Sequence, residues 1–140
     1  MEVSDSPRIR LDKRFDWVGP ADRISRIRPI KLRIVDNETE LEKKYRLDRE
    51  ELNEWNSKFW ENHNIAFERR RDQFITDRKK ELGKLGNVTA NDMSTFYKEF
   101  LNDEYAALSQ YNKIWYKRNF QLLWPAFKVN IIRLCRLFRK

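Results

Sequence analysis

Between Pro29 and Gly83 the chain has neither glycine nor proline, and that uninterrupted run limits the available folds more than any other feature. Glycine and proline end helices and make tight turns. With three of the first and four of the second in 140 residues, the sequence has little means of reversing direction often. Long helices are favoured over many short strands. Inside the run, Asp36-Asn37-Glu38-Thr39-Glu40 reads as a helix start, with Thr39 and Glu42 at capping-box spacing. Leu41, Tyr45, Leu52, Trp55, Phe59, Ala66 and Phe74 then recur as one face of an amphipathic helix. Gly83 supplies a stop. A helix over residues 39–82 is a rod of roughly 60 Å at 1.5 Å per residue. Trp60 and Phe67 widen its apolar stripe, so a second surface must cover them. Aromatics of this size fit poorly at a narrow two-stranded seam, which favours packing against helices of the same chain.

The remaining segments arrange themselves around that rod. Residues 1–37 read as an extended arm. Asp16-Trp17-Val18-Gly19-Pro20 is a turn signal that leaves Trp17 free to plug a groove. Ile30-Lys31-Leu32-Arg33-Ile34 alternates as a short strand does, with no second strand evident to pair with it. After a short connection, Thr89 and Asp92 repeat the capping-box spacing. Met93, Phe96, Tyr97, Phe100 and Leu101 give the next apolar face. Asn102-Asp103 marks an end or a bend, and Pro125 predicts a kink. The fold class is all-α: one long helix packed against two or three shorter helices, with an extended N-terminal arm. A helical domain over residues 38–140 would hold helices at about 39–82, 90–102, 104–124 and 126–139. Its core is expected around Trp55, Phe59, Phe96, Phe100, Tyr111 and Trp115.

Charge is distributed unevenly. Residues 105–140 contain eight Lys or Arg and no acid, which matches the formal net charge of +8, so the rest of the chain is balanced. At 100° per residue, Leu123, Trp124, Phe127, Ile131, Leu134, Cys135 and Phe138 fall in an arc of roughly 120°. Lys128, Arg133, Arg136, Arg139 and Lys140 lie on the other side. A basic amphipathic helix of this kind suits an anionic membrane surface or a protein partner, and residues 105–120 are assigned to the core. Nucleic-acid binding through Arg and stacked aromatics is a less favoured reading, as a basic RNA-binding helical protein, and no DNA partner is expected.

Catalysis has little support. There is no glycine-rich phosphate loop, no Gly-x-Ser-x-Gly elbow and no His-Glu-x-x-His. Glu50, Glu51 and Glu54 are most simply members of i, i+4 ion pairs. One histidine and one cysteine argue against a multi-ligand metal site and against an intramolecular disulfide. No cofactor is established, and haem is the one to consider. His63, near Trp60, Ala66 and Phe67, can be read as an axial haem ligand. Cys135, beside Arg133 and Arg136, can be read as a thiolate ligand or redox sensor. The plainer reading makes His63 a surface histidine and Cys135 a small hydrophobe. No apolar run approaches the roughly 20 residues that span a bilayer. The N-terminus lacks the apolar core of a secretory signal, and its Glu2, Asp5 and Asp12 are unusual in a mitochondrial presequence.

Four motifs occur in order: Asp16-Trp17-Val18-Gly19-Pro20; Glu54-Trp55-Asn56 with Phe59-Trp60; Phe96-Tyr97-Lys98-Glu99-Phe100-Leu101; and Tyr111-Asn112 followed by Trp115-Tyr116-Lys117-Arg118-Asn119-Phe120. Together they resemble the cytochrome c oxidase assembly factor 8 family, also called apoptogenic protein 1, over residues 16–120. Beyond that the match is one of character, and Pro125 departs from the family. The resemblance implies a mitochondrial protein imported by a cleavable presequence and peripheral to the matrix side of the inner membrane. It further implies a non-enzymatic role in the assembly and stability of respiratory complex IV, particularly under oxidative stress. The partners would be cytochrome c oxidase subunits or assembly intermediates. Paired cysteines of the kind used in copper delivery are absent, whereas haem contact stays open.

Overall fold

A computed structural model describes residues 10–139. The first nine residues of the expected arm, and Lys140 of the expected basic face, lie outside them. Two long helices dominate, α1 over Glu40–Leu82 and α2 over Ala90–Phe138. Each begins at a capping box foreseen from sequence. Thr39 accepts from the Glu42 N–H while the Glu42 carboxylate accepts in return, and Thr89 and Asp92 repeat the arrangement. Gly83 closes α1 at a φ of 73°, donating its N–H to the Lys79 carbonyl at 3.1 Å. A side chain there would sit in a backbone region that L-residues rarely adopt.

The helix count is two, not the three or four expected. α2 runs unbroken past Asn102-Asp103 and through Pro125. Asp103 is exposed and takes Arg70 of α1 at 2.6 Å, which ties α2 to its neighbour at the expected break. A proline at position 125 removes the donor for the carbonyl of Gln121, and Gln121 is exposed. Water can serve such a carbonyl, so the helix tolerates the loss.

The helices fold back on each other as a hairpin. Phe67 meets Phe96 and Phe100, Phe74 stacks on Phe96, and Trp60 reaches Tyr111. The core between two rods is thin. Among the described residues the buried hydrophobics are Phe96, Phe100, Tyr111 and Val129. Trp55, Phe59 and Trp115, also expected there, are half-buried. Tyr105, Tyr116 and Phe120, expected in the core, are exposed, because nothing among the described residues covers that side of α2.

The arm does contain a strand pair. Trp17–Val18 (β1) pairs antiparallel with Ile30–Lys31 (β2). The partner was hidden because Trp17-Val18 sits inside what reads as a turn. Gly19 is buried and donates to the Pro29 carbonyl at 2.9 Å. A Cβ at Gly19 would meet the Trp17 ring at 2.4 Å and Pro29 at 2.8 Å, so this position has no room for one. The loop between the strands is held by Asp22, whose carboxylate accepts from the N–H groups of Ile24 and Ser25.

Candidate functional site

The arm is fastened to α1 by a polar row. Glu50 accepts from the Leu32 N–H at 2.9 Å, and Asn53 donates to the Arg28 carbonyl at 3.2 Å. Ser57 meets buried Ser25 at 2.9 Å, and Asn64 donates to the Ile24 carbonyl at 2.7 Å. These four positions share one side of the helix by their three-, four- and seven-residue spacing. Glu50 is therefore an anchor for the arm, not a member of an intrahelical pair. Asn53, Ser57 and Asn64, uncharged polar residues at helical spacing in a helix rich in charge, are the signal the sequence offers.

Trp55, Phe59 and Trp60 of α1 assemble with Tyr111 of α2 into one aromatic cluster. Tyr111 lies parallel to Phe59 at 4.1 Å between ring centres and to Trp55 at 5.3 Å. Its hydroxyl accepts from the Trp60 indole N–H at 3.1 Å and donates to Asn56. Arg118 covers Trp55 at 5.1 Å, and Asn119 donates to the Trp115 carbonyl at 2.8 Å. Trp115 contacts Tyr116 edge-on, Tyr97 stacks on Phe67, and both tyrosines are exposed on their outer sides. Glu54 and Asn112 are exposed. In the arm, Gly19 is buried and Trp17 half-buried, while Asp16 and Pro20 are exposed. Asp16 accepts from the Arg33 N–H at 2.7 Å.

His63 is not a surface residue. It lies against Phe59, Trp60 and Phe100. Its Nδ1 is buried without a hydrogen-bond partner among the described residues, with the nearest carboxylate, Glu104, at 3.9 Å. Cys135 is exposed near the end of α2. Its neighbour Arg136 reaches back to Glu42, and 21 residues of α1 between Glu42 and His63 span about 30 Å. The two candidate haem residues are therefore not brought together. Among the described residues, no group of three His, Cys, Asp or Glu could hold a metal ion.

Beyond Pro125, α2 has two apolar sides. Val129 is 0% exposed and Leu122 and Ile132 are half-buried. Half a turn of the wheel away, Trp124 is 61% exposed and Phe138 83%, with Phe127, Ile131 and Leu134 also open. Phe120, Leu123 and Tyr116 continue this uncovered stripe toward the middle of α2. At 100° per residue it is about 100° wide and, at 1.5 Å per residue, about 33 Å long. Lys117, Lys128 and Arg139 run along one edge, and Lys128 sits 5.2 Å over the Trp124 ring. Two of the cations expected on this solvated face are elsewhere. Arg136 clamps Glu42, with Nη1 2.7 Å from Oε2, and also donates to the Asn37 carbonyl. Arg133 lines a cavity beside the arm. Burial on its own would raise the Glu42 carboxyl. The Arg136 and Thr39 hydrogen bonds outweigh it and hold the group below its ordinary value.

The family profile described as cytochrome c oxidase assembly factor 8 matches residues 15–135, so the similarity continues past Pro125. The chain belongs to this family. A mitochondrial COA8 family protein of Caenorhabditis elegans is 56% identical over 137 residues, covering 98% of this chain and 96% of that one. The human cytochrome c oxidase assembly factor 8 is 39% identical over 127 residues, 85% of this chain and 62% of its own. A mitochondrial COA8 family protein of Drosophila melanogaster is 38% identical over 125 residues, 89% of this chain and 70% of that one. No solved structure matches. Among the described residues, no helix is long and apolar enough to cross a membrane.

Proposed function

We propose that the chain supports the assembly and stability of cytochrome c oxidase in the mitochondrion, without catalysing a reaction, from a peripheral position on the inner membrane. The observation that carries the membrane part is the uncovered apolar stripe of α2, edged by Lys117, Lys128 and Arg139. Apolar side chains there enter the headgroup region, and each nearby cation contributes about 1 kcal/mol against an anionic lipid surface. Family membership and the mitochondrial names of the relatives support the remainder.

The test is a Phe127→Glu/Leu134→Glu variant. Both side chains are exposed, so the fold is retained by circular dichroism. The wild type is expected to float with anionic vesicles and to restore complex IV in cells lacking their own copy, and the variant to do neither. Equal flotation and equal rescue by the variant would overturn the reading. A wild type that rescues without binding vesicles gives the stripe to a protein partner instead. A second reading, haem contact, has one observation in its favour, the unpartnered buried Nδ1 of His63. Haem titration of the wild type and of His63→Ala tests it, and an unshifted Soret band in the wild type would eliminate it.

A further inference from the structure

At the end of the hairpin away from the connecting loop, the arm, the first turns of α1 and Arg133 of α2 line an open pocket of about 330 Å³. Its walls hold five arginines, Arg14, Arg33, Arg46, Arg49 and Arg133, and three carboxylates, Asp16, Glu38 and Glu42. The pairing among them is uneven. The Glu38 carboxylate accepts from Nε and Nη2 along one edge of the Arg46 guanidinium, at 2.8 and 3.1 Å. Glu42 is held by Arg136, and Arg14 by Asp12, both partners lying outside the wall. Among the described residues, Arg33, Arg49 and Arg133 are left without a carboxylate within ion-pair reach. They face the single remaining acid, Asp16, which accepts from the Arg33 backbone N–H. Arg49 lies over the Tyr45 ring, which holds it against the same wall.

Three arginines from three separate segments line one pocket, and an anion placed among them would be attracted by all three. The planar fork of arginine suits phosphate oxygens, which it grips in pairs. The volume sits at the small end of the roughly 300–1,000 Å³ range of ligand sites. We propose that this cavity binds a phosphate-type oxyanion, with Arg33, Arg49 and Arg133 as its cationic donors. Two sources supply that chemistry, the headgroup of an anionic phospholipid and free phosphate. The site stands on these residues and does not depend on the apolar stripe of α2.

An anion held by arm, α1 and α2 together stabilises the folded chain, so thermal unfolding of the full chain reads it out. Inorganic phosphate is expected to raise the unfolding midpoint saturably above sodium chloride of equal ionic strength. The rise should be lost in R49Q/R133Q and kept in R69Q, which removes an exposed charge elsewhere on α1. Should R49Q/R133Q not fold, R133Q alone serves, since Arg133 is exposed. No rise above chloride in the wild type, or an undiminished rise in the arginine variants, overturns the site. Flotation with phosphatidylglycerol vesicles separates the sources. Binding that free phosphate competes away and R49Q/R133Q abolishes assigns a lipid headgroup. Flotation indifferent to R49Q/R133Q, beside an intact phosphate response in the wild type, assigns free phosphate. Failure of the apolar stripe is seen instead in F127E/L134E, so the two readings fail separately.

Discussion

Replacing Tyr111 with Phe is the most informative single change, because it removes one oxygen from the centre of the motif cluster and leaves the rings in place. That oxygen serves two partners, accepting from the Trp60 indole and donating to Asn56. The stacks on Phe59 and Trp55 need only the ring. Each neutral hydrogen bond contributes about 1 kcal/mol net, and an orphaned polar group costs about 1–3 kcal/mol when water cannot reach it. Trp60 and Asn56 are half-buried, so the orphan cost is partial and a loss of about 2 kcal/mol is expected. For a chain of this length that corresponds to a fall in Tm of roughly 6–10 °C. Urea unfolding followed by far-UV circular dichroism measures it, with the slope m unchanged if only the folded state is affected. A double-mutant cycle with Asn56→Ala should return a coupling of about 1 kcal/mol. A loss in Tyr111→Phe below about 0.5 kcal/mol, the range of ordinary surface substitutions, would refute a structural role for the hydroxyl.

Phe100 is 1% exposed between Phe67 and Phe96, so Phe100→Ala should cost about 3–5 kcal/mol in the same urea experiment. Gly19→Ala forces a methyl into the Trp17 ring and should cost about 1–3 kcal/mol, seen as a lower urea midpoint. Glu42 titrates below its ordinary value of 4.5 when folded. The unfolded chain therefore takes up this proton more readily, and the stability Glu42 contributes is complete at neutral pH and lost as pH falls through 4.5 toward the folded value. Urea midpoints across that window should fall with a shallower acid limb in Glu42→Gln than in the wild type.

What the sequence could reveal was what depends on neighbours along the chain. The two capping boxes, the stop at Gly83 and the apolar face of α1 all depend on residues within a turn or two of each other, and they were legible. So was the apolar arc of Trp124, Phe127, Ile131, Leu134 and Phe138. Which of two apolar sides α1 would cover was not, because Leu122, Val129 and Ile132 make an equally good stripe. That choice moved Arg136 from a solvated face to a partner for Glu42, 94 residues away. β1 is not legible for a different reason: two residues carry no readable period, and Trp17-Val18 lies within a stretch that reads as a turn. Pro125 was read by its usual effect on helices, while its actual cost depended on whether Gln121 faced water.

The contacts that close the hairpin form an ordered series. Arg78 to Asp92 spans 14 residues, Arg70 to Asp103 spans 33, Trp60 to Tyr111 spans 51 and Arg136 to Glu42 spans 94. Once the inner pair has formed, each later one closes only a small extra loop, so loop entropy favours assembly like a zip from the connection outward. By the same ordering, opening is expected to begin at the outer end. Amide exchange should therefore slow steadily along α2 from its C-terminal turns toward Phe100. The cavity of arginines and the far end of the apolar stripe both lie on the part that parts first. A contact made there would act as the slider's stop, holding shut a long molecule whose inner end needs no help.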